Sequence, residues 1–407
     1  MLNAAGEMEV LHLNRDEAIS NLPSWPSYDH DEIAAATDAL RKGCVNYWTG
    51  EQGREFEREF SSYLGTSHAV AVSNGSIALA CSLRALDLQS GAEVIVSPRT
   101  FVASVSEILL AGALPVFADV DLESQNITPE STEPLINKRT AAIVAVHVAG
   151  WPCDMPGINA LADLHGLAVI EDCSQAHGAE IAGRKAGSWG DMATFSFCQD
   201  KIISTGGEGG AIATDKDEYR QRCWSFKDNG KCMDSVEAPA AGQVFKWVHD
   251  SLGTNGRLTE FQAAIGRCQL LKLDNWVEQR NRNARVLADN LHAIDGLRIP
   301  VPSGDIRHAY YKFYAFVRVD ALRKSWSRER IVRELVAQNI PCGSGVCPEV
   351  YLEKAFSGLS SRPQDRLPVA RELGETSLML PVHPTMDESH MGRIADALTE
   401  VMARATR

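Results

Sequence analysis

The stretch that decides the fold, residues 169–214, reads VIEDCSQAHGAEIAGRKAGSWGDMATFSFCQDKIISTGGEGGAIAT. An apolar run over residues 168–170 ends in Glu171 and Asp172, which is typical of a buried parallel strand whose carboxyl end faces a ligand crevice. Lys201 follows a second apolar segment and precedes a glycine-rich turn, where the backbone can approach a ligand closely. The stretch therefore predicts a site that combines a carboxylate, a hydroxyl and a lysine.

Short apolar segments around this stretch predict an α/β fold with a mainly parallel sheet. Further predicted strands cover residues 68–72, 93–96, 114–117 and 141–147. Each is rich in Val, Ile and Ala, and helix-length segments separate them. This alternation is the pattern of a parallel sheet that is covered by helices on both faces.

The length of 407 residues predicts two domains, because one compact core rarely grows that large. We expect an N-terminal arm over residues 1–24, a large domain over 25–274 and a smaller α+β domain over 275–407. A long helix, at about residues 259–288, should lead from one domain to the other. Residues 215–231 read as helical, and residues 232–252 read as a long loop.

Composition excludes some classes of function. A net charge of −13 argues against nucleic acid as a partner, since phosphate binding requires a basic surface, but a locally basic pocket remains possible. The first residues carry acids where a signal peptide has a basic and then an apolar segment. No stretch is long and apolar enough to span a bilayer. We therefore predict a cytoplasmic protein without a membrane partner.

The ten cysteines are dispersed, with no C-x-x-C motif and no paired Cys/His spacing, so the sequence predicts no metal site. They read as small apolar fillers in a reducing compartment. Cys173 and Cys198 flank the predicted site. A catalytic role for either would need an electropositive setting, which sequence does not reveal.

The segment Ser-Asn-Gly-Ser at residues 73–76 joins the first predicted strand to a helix. A strand, a glycine turn and a helix start present free backbone N–H groups to an anion. Ser, Asn and Gly are also the residues that cap helices. From these residues alone, an anion site and a simple helix cap are equally good interpretations.

Four motifs resemble those of the DegT/DnrJ-type sugar aminotransferases, which depend on pyridoxal 5′-phosphate (PLP). They are SNGSIAL, EDCSQAHGA, FSFCQDKIISTGGEGG and GTNGRLTEFQAAIG, and the match runs in family order over about residues 47–383. The resemblance implies a PLP fold-type I large domain, similar to aspartate aminotransferase, with a smaller C-terminal domain. It also implies a homodimer with shared active sites.

The resemblance implies catalytic roles for Lys201 and Asp172. Lys201 would bond covalently to the cofactor and later carry a proton as the free amine, which a lysine of lowered pKa can do. Asp172 would keep the cofactor's ring nitrogen protonated, as the electron sink requires. An acid in this place could instead cap the next element or pair with a surface lysine.

The resemblance also implies the remaining cofactor contacts. They are Gly75, Ser76 and Ser196 at the phosphate, Phe101 stacked on the ring, Gln175 at the phenolic oxygen, and Asn255 reaching the partner subunit's cofactor. Phe101 could instead pack the first turn of its helix. Ser196 could be a strand residue that points to solvent.

Substrate contacts are predicted at His177, Arg257, His308 and Tyr310, and Tyr311 and Lys312 are further candidates. His177 either lines the pocket or is an interior histidine with its hydrogen bonds satisfied. The alternation of a half-buried strand would explain Tyr310 equally well. Gly256 stands where the family has a bulkier residue, which predicts extra room at the substrate end.

The resemblance favours transamination, because family members that act as dehydratases carry histidine at the position of Lys201. The expected reaction moves an amino group from glutamate, or glutamine, to a keto-sugar and cycles the cofactor between its PLP and PMP forms. The expected acceptor is a nucleotide-linked keto-deoxyhexose for surface polysaccharide or a secondary metabolite. Alternatives are a free keto-carbohydrate or keto-cyclitol as acceptor, and a non-catalytic regulator with the same fold.

Overall fold

The computed structural model describes residues 22–238 and 247–407. Residues 1–21, most of the expected arm, and residues 239–246, part of the expected long loop, lie outside the described residues. The helices are α1 His30–Lys42, α2 Gln52–Leu64, α3 Gly75–Ala85, α4 Ala103–Leu110, α5 Pro129–Thr132, α6 Met155–His165, α7 Asp217–Lys227, α8 Met233–Glu237, α9 Glu260–Leu291, α10 Arg328–Ala337, α11 Pro368–Thr376 and α12 Glu388–Ala405. The strands are β1 His68–Val72, β2 Glu93–Val96, β3 Leu114–Phe117, β4 Thr140–Val146, β5 Ala168–Asp172, β6 Glu180–Ile181, β7 Arg184–Lys185, β8 Met192–Ser196, β9 Gly210–Thr214, β10 Leu297–Arg298, β11 Ile306–Arg307, β12 Phe313–Val317 and β13 Ser377–Leu380.

A seven-stranded sheet in the order β1-β9-β8-β5-β4-β2-β3 forms the centre of the large domain. Five of its strands run parallel, from β3 through β2, β4 and β5 to β8. β9 is antiparallel to both β8 and β1. The predicted α/β fold with a mainly parallel sheet is confirmed, and it brings several strand ends to one edge.

Two elements differ from the predicted ones. α7 ends at Lys227 rather than near 231, because Asn229 and Gly230 adopt left-handed conformations with φ of 59° and 79°. The short helix α8 interrupts the stretch over residues 232–252 that was expected to be a loop.

The C-terminal part contains a separate antiparallel sheet in the order β10-β12-β13, as expected for a small α+β domain. The helix α9 links it to the large domain. Leu273 and Val277 pack in the core of the large domain, whereas Ala284 and Leu287 pack in the small one. The predicted boundary at residues 274/275 falls inside this helix. In the described ranges, no helix has the length and apolarity to cross a bilayer.

Backbone contacts hold the C-terminal part against the large domain near the candidate site. Tyr311 N–H donates to the Ala149 carbonyl at 2.9 Å, and Ala309 N–H donates to the Gly150 carbonyl at 2.9 Å. These bonds fix residues 308–312 beside the segment that follows β4.

Glu171 organises the sheet edge at the end of β5. Its fully buried carboxylate accepts N–H groups of Gly187, Trp189 and Gly190 at 2.7–2.8 Å and also contacts His147 Nε2 at 3.1 Å. His147 Nδ1 accepts the Cys153 N–H, so Nε2 carries the proton that it donates to Glu171. Glu171 thus joins β5, the segment after β4 and the 187–190 turn.

We expect Glu171→Ala to lower the free energy of unfolding of the large domain by at least about 3 kcal/mol, because several buried donors lose their acceptor together. Urea unfolding followed by circular dichroism measures this. Glu218→Ala is the control: that side chain is 68% exposed, and the loss should stay within about 0.5 kcal/mol. Equal effects of the two substitutions would contradict the role given to Glu171.

Candidate active site

The carboxyl ends of β5 and β8, together with the turn after β1, form one candidate site. Asp172 is the last residue of β5, Ser196 is the last residue of β8, and Gly75 begins α3 directly after β1. β5 and β8 are hydrogen-bonded neighbours, with Asp172 opposite Thr194. The topology thus brings together residues that are far apart in the sequence.

The Asp172 carboxylate is buried and surrounded by neutral donors. Ser104 Oγ donates to Oδ2 at 3.0 Å, and the Ser174 N–H donates to Oδ1 at 3.1 Å. Thr100 Oγ1 lies 2.7 Å from Ser104 Oγ and extends this chain. Asp172 forms no ion pair within the described ranges, so it is not the partner of a surface lysine. A buried carboxylate without a cation is costly, so this group is suited to a positively charged ligand atom.

Gly75 and Ser196 meet at the N-terminus of α3. A Cβ at Gly75 would lie 2.7 Å from Ser196 Cβ and 3.2 Å from its Oγ, so only glycine permits this approach. Asn74 caps the helix by accepting the Ile77 N–H at 2.9 Å. The N–H groups of Gly75 and Ser76 have no acceptor among the described residues. The cap and the anion site are therefore compatible, and the donors suit a phosphate.

Gln175 and Phe101 frame the same site. Gln175 Oε1 accepts the Ala149 N–H at 2.8 Å, which leaves its Nε2 group without a partner in the described part of the chain. Phe101 is 66% exposed, so its ring does not pack into the first turn of α4. Its neighbour Thr100 belongs to the hydrogen-bond chain that reaches Asp172. An exposed ring beside a buried carboxylate can cover a flat ligand.

The Lys201 side chain is 18% exposed, and its Nζ lies 3.9 Å from Asp200 Oδ1 and 5.0 Å from the centre of the Tyr311 ring. The Tyr311 hydroxyl bonds to Asp200. Burial alone would raise the pKa of Asp200, but the charge of Lys201 and the Tyr311 hydroxyl lower it below its usual value. Trp25 Nε1 donates to the Lys201 carbonyl at 2.8 Å. The amine is thus accessible, and its backbone is held.

His177 is buried between the rings of Phe195 and Phe197. Burial, together with the charge of Lys201, lowers the pKa of His177 to about 3, so the ring is neutral. Neither ring nitrogen has a hydrogen-bond partner among the residues that the structure describes. His177 is therefore interior, as one alternative predicted, but no described residue satisfies its hydrogen bonds.

His308 and Tyr310 lie between β11 and β12, so strand alternation does not explain Tyr310. His308 Nδ1 accepts the Tyr310 N–H at 2.7 Å, and the two rings stack 3.9 Å apart. Burial lowers the pKa of His308 to about 3. Both side chains line a small cavity beside Lys312.

The GTNGR segment lies beside the end of β1. Arg257 Nη1 donates to the buried Asp228 at 2.7 Å, so its charge is neutralised by that carboxylate. Asn255 is exposed, and its side chain has no hydrogen-bond partner in the ranges that the structure describes. The extra room expected at Gly256 is absent: a Cβ there would lie 2.7 Å from Ile77 Cγ2, because Ile77 fills the space.

Sequence reasoning missed Trp25 and Ser104. Ser104 lies in the first turn of α4 and Thr100 lies just before the helix, so their short separation in the sequence could have revealed the contact. Trp25 reaches Lys201 across 176 residues, and no local pattern signals such a contact.

The donors and acceptors of this edge fit PLP. The helix N-terminus at Gly75 and Ser76, with Ser196 Oγ, suits its phosphate. The Asp172 carboxylate, which no described cation neutralises, suits a protonated ring nitrogen, and Lys201 supplies the amine that an aldehyde requires.

Comparisons with known proteins identify the family and the fold. Residues 26–399 match the model of the DegT/DnrJ/EryC1/StrS aminotransferase family. The UDP-N-acetyl-3-dehydro-alpha-D-glucosamine 3-aminotransferase of Acidithiobacillus ferrooxidans is 35% identical over 358 residues, 88% of this chain and 90% of that protein. An aminotransferase structure from Psychrobacter cryohalolentis has a TM-score of 0.91 and 47% identity, covering 94% of this chain and 99% of that one.

A further solved structure is that of DesV from S. venezuelae in complex with a ketimine intermediate. It has a TM-score of 0.82 and 32% identity, and the match covers 92% of this chain and 94% of that one. The match over nearly the whole length and the PLP fold-type I architecture lead to one conclusion: the chain belongs to the DegT/DnrJ/EryC1/StrS aminotransferase family and is a PLP-dependent transaminase.

Proposed function

We propose that this transaminase moves an amino group from glutamate, or glutamine, to a nucleotide-linked keto-sugar, a keto-deoxyhexose of surface polysaccharide or secondary metabolism. The observation that carries the proposal is the buried Asp172 carboxylate, which no described cation neutralises, at the same sheet edge as the accessible amine of Lys201. The acceptor class is supported by the Acidithiobacillus relative, whose name specifies a UDP-linked keto-amino-sugar.

In this proposal, different side chains of the protein bind different parts of the cofactor. PLP, when bound, supplies an aldehyde and an electron-withdrawing ring. Gly75, Ser76 and Ser196 hold the phosphate, and Phe101 covers the ring. Gln175 donates Nε2 to the phenolic oxygen, since its Oε1 is already bonded to Ala149.

Lys201 and Asp172 are the catalytic residues of the proposal. Lys201 Nζ accepts the proton from the donor's α-carbon and returns it, and Asp200 with Tyr311 lies against this amine. Asp172 holds a proton at the ring nitrogen, and Ser104 and Ser174 orient its two oxygens. The arrangement matches general acid–base catalysis by a positioned amine.

The two half-reactions test the function. PLP-loaded protein should change to the PMP form with L-glutamate, and a nucleotide-linked keto-sugar should restore the PLP form, both followed by absorbance. Lys201→Ala should slow both steps by at least ~100-fold, because it removes the base. Lys216→Ala, in a 57% exposed side chain at the opposite edge of the sheet, should leave both unchanged.

Restoration by free keto-sugars or keto-cyclitols alone, with none by nucleotide-linked ones, would contradict the proposed acceptor. Near-normal half-reactions in Lys201→Ala would contradict the role of that lysine.

Asp172→Ala should weaken cofactor retention and slow α-proton abstraction together, since removing one member of a buried charge pair typically costs about 3–5 kcal/mol. Dialysis against buffer measures retention, and exchange of the α-hydrogen of glutamate for deuterium measures abstraction. Asp163→Asn, on an exposed position of α6, is the control. Normal exchange in a fully loaded Asp172→Ala protein would remove Asp172 from the mechanism.

We propose further that the enzyme is a homodimer whose active sites are shared. Support comes from the exposed Asn255, which has no described partner, and from Leu252, which is 94% exposed three residues earlier. Phe101, in the candidate site, is also largely exposed in the single subunit. Exposed apolar side chains near a site are typical of an interaction surface.

Mixed dimers test the shared site. If Asn255 of one subunit serves the cofactor held by Lys201 of the other, refolding Lys201→Ala with Asn255→Ala protein creates one site with both defects and one with neither. Activity should rise to about half the native level per mixed dimer, if the sites are independent. A tag-based pull-down verifies the mixed dimers. Mixed dimers that are no more active than the parents would place Asn255 in its own chain's site.

A further inference from the structure

A small cavity lies between the large domain and residues 308–314, next to the candidate active site. Its lining includes Gln125, Ala149, Trp151, His308 and Lys312, and its volume is about 20 Å³. Ala149 is the residue whose N–H binds Gln175 Oε1, so the cavity adjoins the cofactor contacts. A volume of this size admits one water-sized polar group.

Lys312 brings an unneutralised positive charge to this cavity. Its ammonium forms no ion pair and has no hydrogen-bond acceptor among the described residues. Lys312 Nζ lies 5.1 Å from the centre of the Tyr311 ring, and Lys201 Nζ lies 5.0 Å from the same ring. Burial and the charges of Arg280 and Lys201 lower the pKa of Lys312 to about 8. Such a site is stabilised by an added negative charge.

The other lining groups are also donors. Arg99, fully buried, donates Nη2 to Gln125 Oε1 at 2.7 Å, so the Gln125 amide presents Nε2 as its free end. Gln125 adopts a left-handed conformation with φ of 68°, which fixes its place. His308 Nδ1 accepts a backbone N–H, so its Nε2 carries the proton. The one acid of the lining, Glu123, pairs with Arg298 at 3.1 Å.

Arg99 adds positive charge behind Gln125. Its Nε and Nη1 have no hydrogen-bond partner, and it forms no ion pair in the part of the chain that the structure describes. The alternative cation, Arg280, is 1% exposed and donates Nη1 to the carbonyls of Tyr310 and Tyr311, so it cannot meet a ligand. Lys312 is therefore the cation that lines the cavity among the described residues.

We propose that this cavity binds a carboxylate of the amino-acid donor, with Lys312 as its charged partner and Gln125 and His308 as neutral donors. The inference rests on the proposed function, because a donor whose α-carbon reaches Lys201 places a carboxylate only a few bonds away. The small volume suits one carboxylate oxygen and not the diphosphate of a nucleotide-linked sugar.

Binding of glutarate, a dicarboxylate without an amino group, to the PLP-loaded enzyme tests the inference by calorimetry. Lys312→Gln should raise the glutarate Kd at least ~10-fold, because it removes the charge that faces the carboxylate. Lys312→Arg should restore much of the affinity, and the matched control Lys216→Gln should leave it unchanged. PLP content and the thermal unfolding midpoint verify that each variant is folded and loaded.

Uridine diphosphate is the second probe, and Lys312→Gln should leave its Kd unchanged. If Lys312→Gln lost uridine diphosphate binding but kept glutarate binding, the inference would be overturned, and the cavity would be a site for the sugar nucleotide. Unchanged glutarate affinity in loaded Lys312→Gln would also overturn it. Failure of the proposed function would give a different result. The wild-type enzyme would then bind glutarate through Lys312, but L-glutamate would not convert its PLP form to the PMP form.

Discussion

Two adjacent carboxylates at the end of β5 point to opposite sides of the sheet, and the rest of the site depends on this division. Glu171 is saturated by three backbone N–H groups and His147, which fixes the turn at residues 187–190. Asp172 receives only neutral donors and stays without a cation in the described ranges. Because side chains alternate along a strand, Glu171 stabilises the fold on one side of the sheet, and Asp172 on the other side is left for a ligand.

The sheet then brings distant parts of the chain to Asp172. Ser196, at the end of β8, packs against Gly75, and this contact is possible only because Gly75 has no side chain. Tyr311 and Lys312, from the C-terminal part, lie beside Lys201. Backbone hydrogen bonds to Ala149 and Gly150 hold their segment in place. Two lysine amines near one phenol ring repel each other, and Asp200 is the nearest described carboxylate to Lys201. An anionic substrate would complete this charge balance.

The sequence predicts the strands well, because apolar runs that end in glycine or acid are local signals. Motif order and the rule for strand ends also place Gly75 and Ser196 together, as the structure has them, and Asp172 at the end of its strand. The meeting of Lys201 with these residues at the cofactor stays a prediction. The sequence does not predict Trp25 at the Lys201 carbonyl, because that contact depends on tertiary packing across most of the chain. The missing room at Gly256 has the same cause, since Ile77 of α3 fills it.

The most direct test of the account is the position of the cofactor on the chain. Reduction of the PLP-loaded protein with borohydride, followed by proteolysis and mass spectrometry, identifies the lysine that carries the pyridoxyl group. Lys201 lies near Asp200 and Tyr311, with its backbone held by Trp25, so the account predicts the label there. A label on Lys312, whose amine approaches the same tyrosine ring, or on any other lysine would contradict the account.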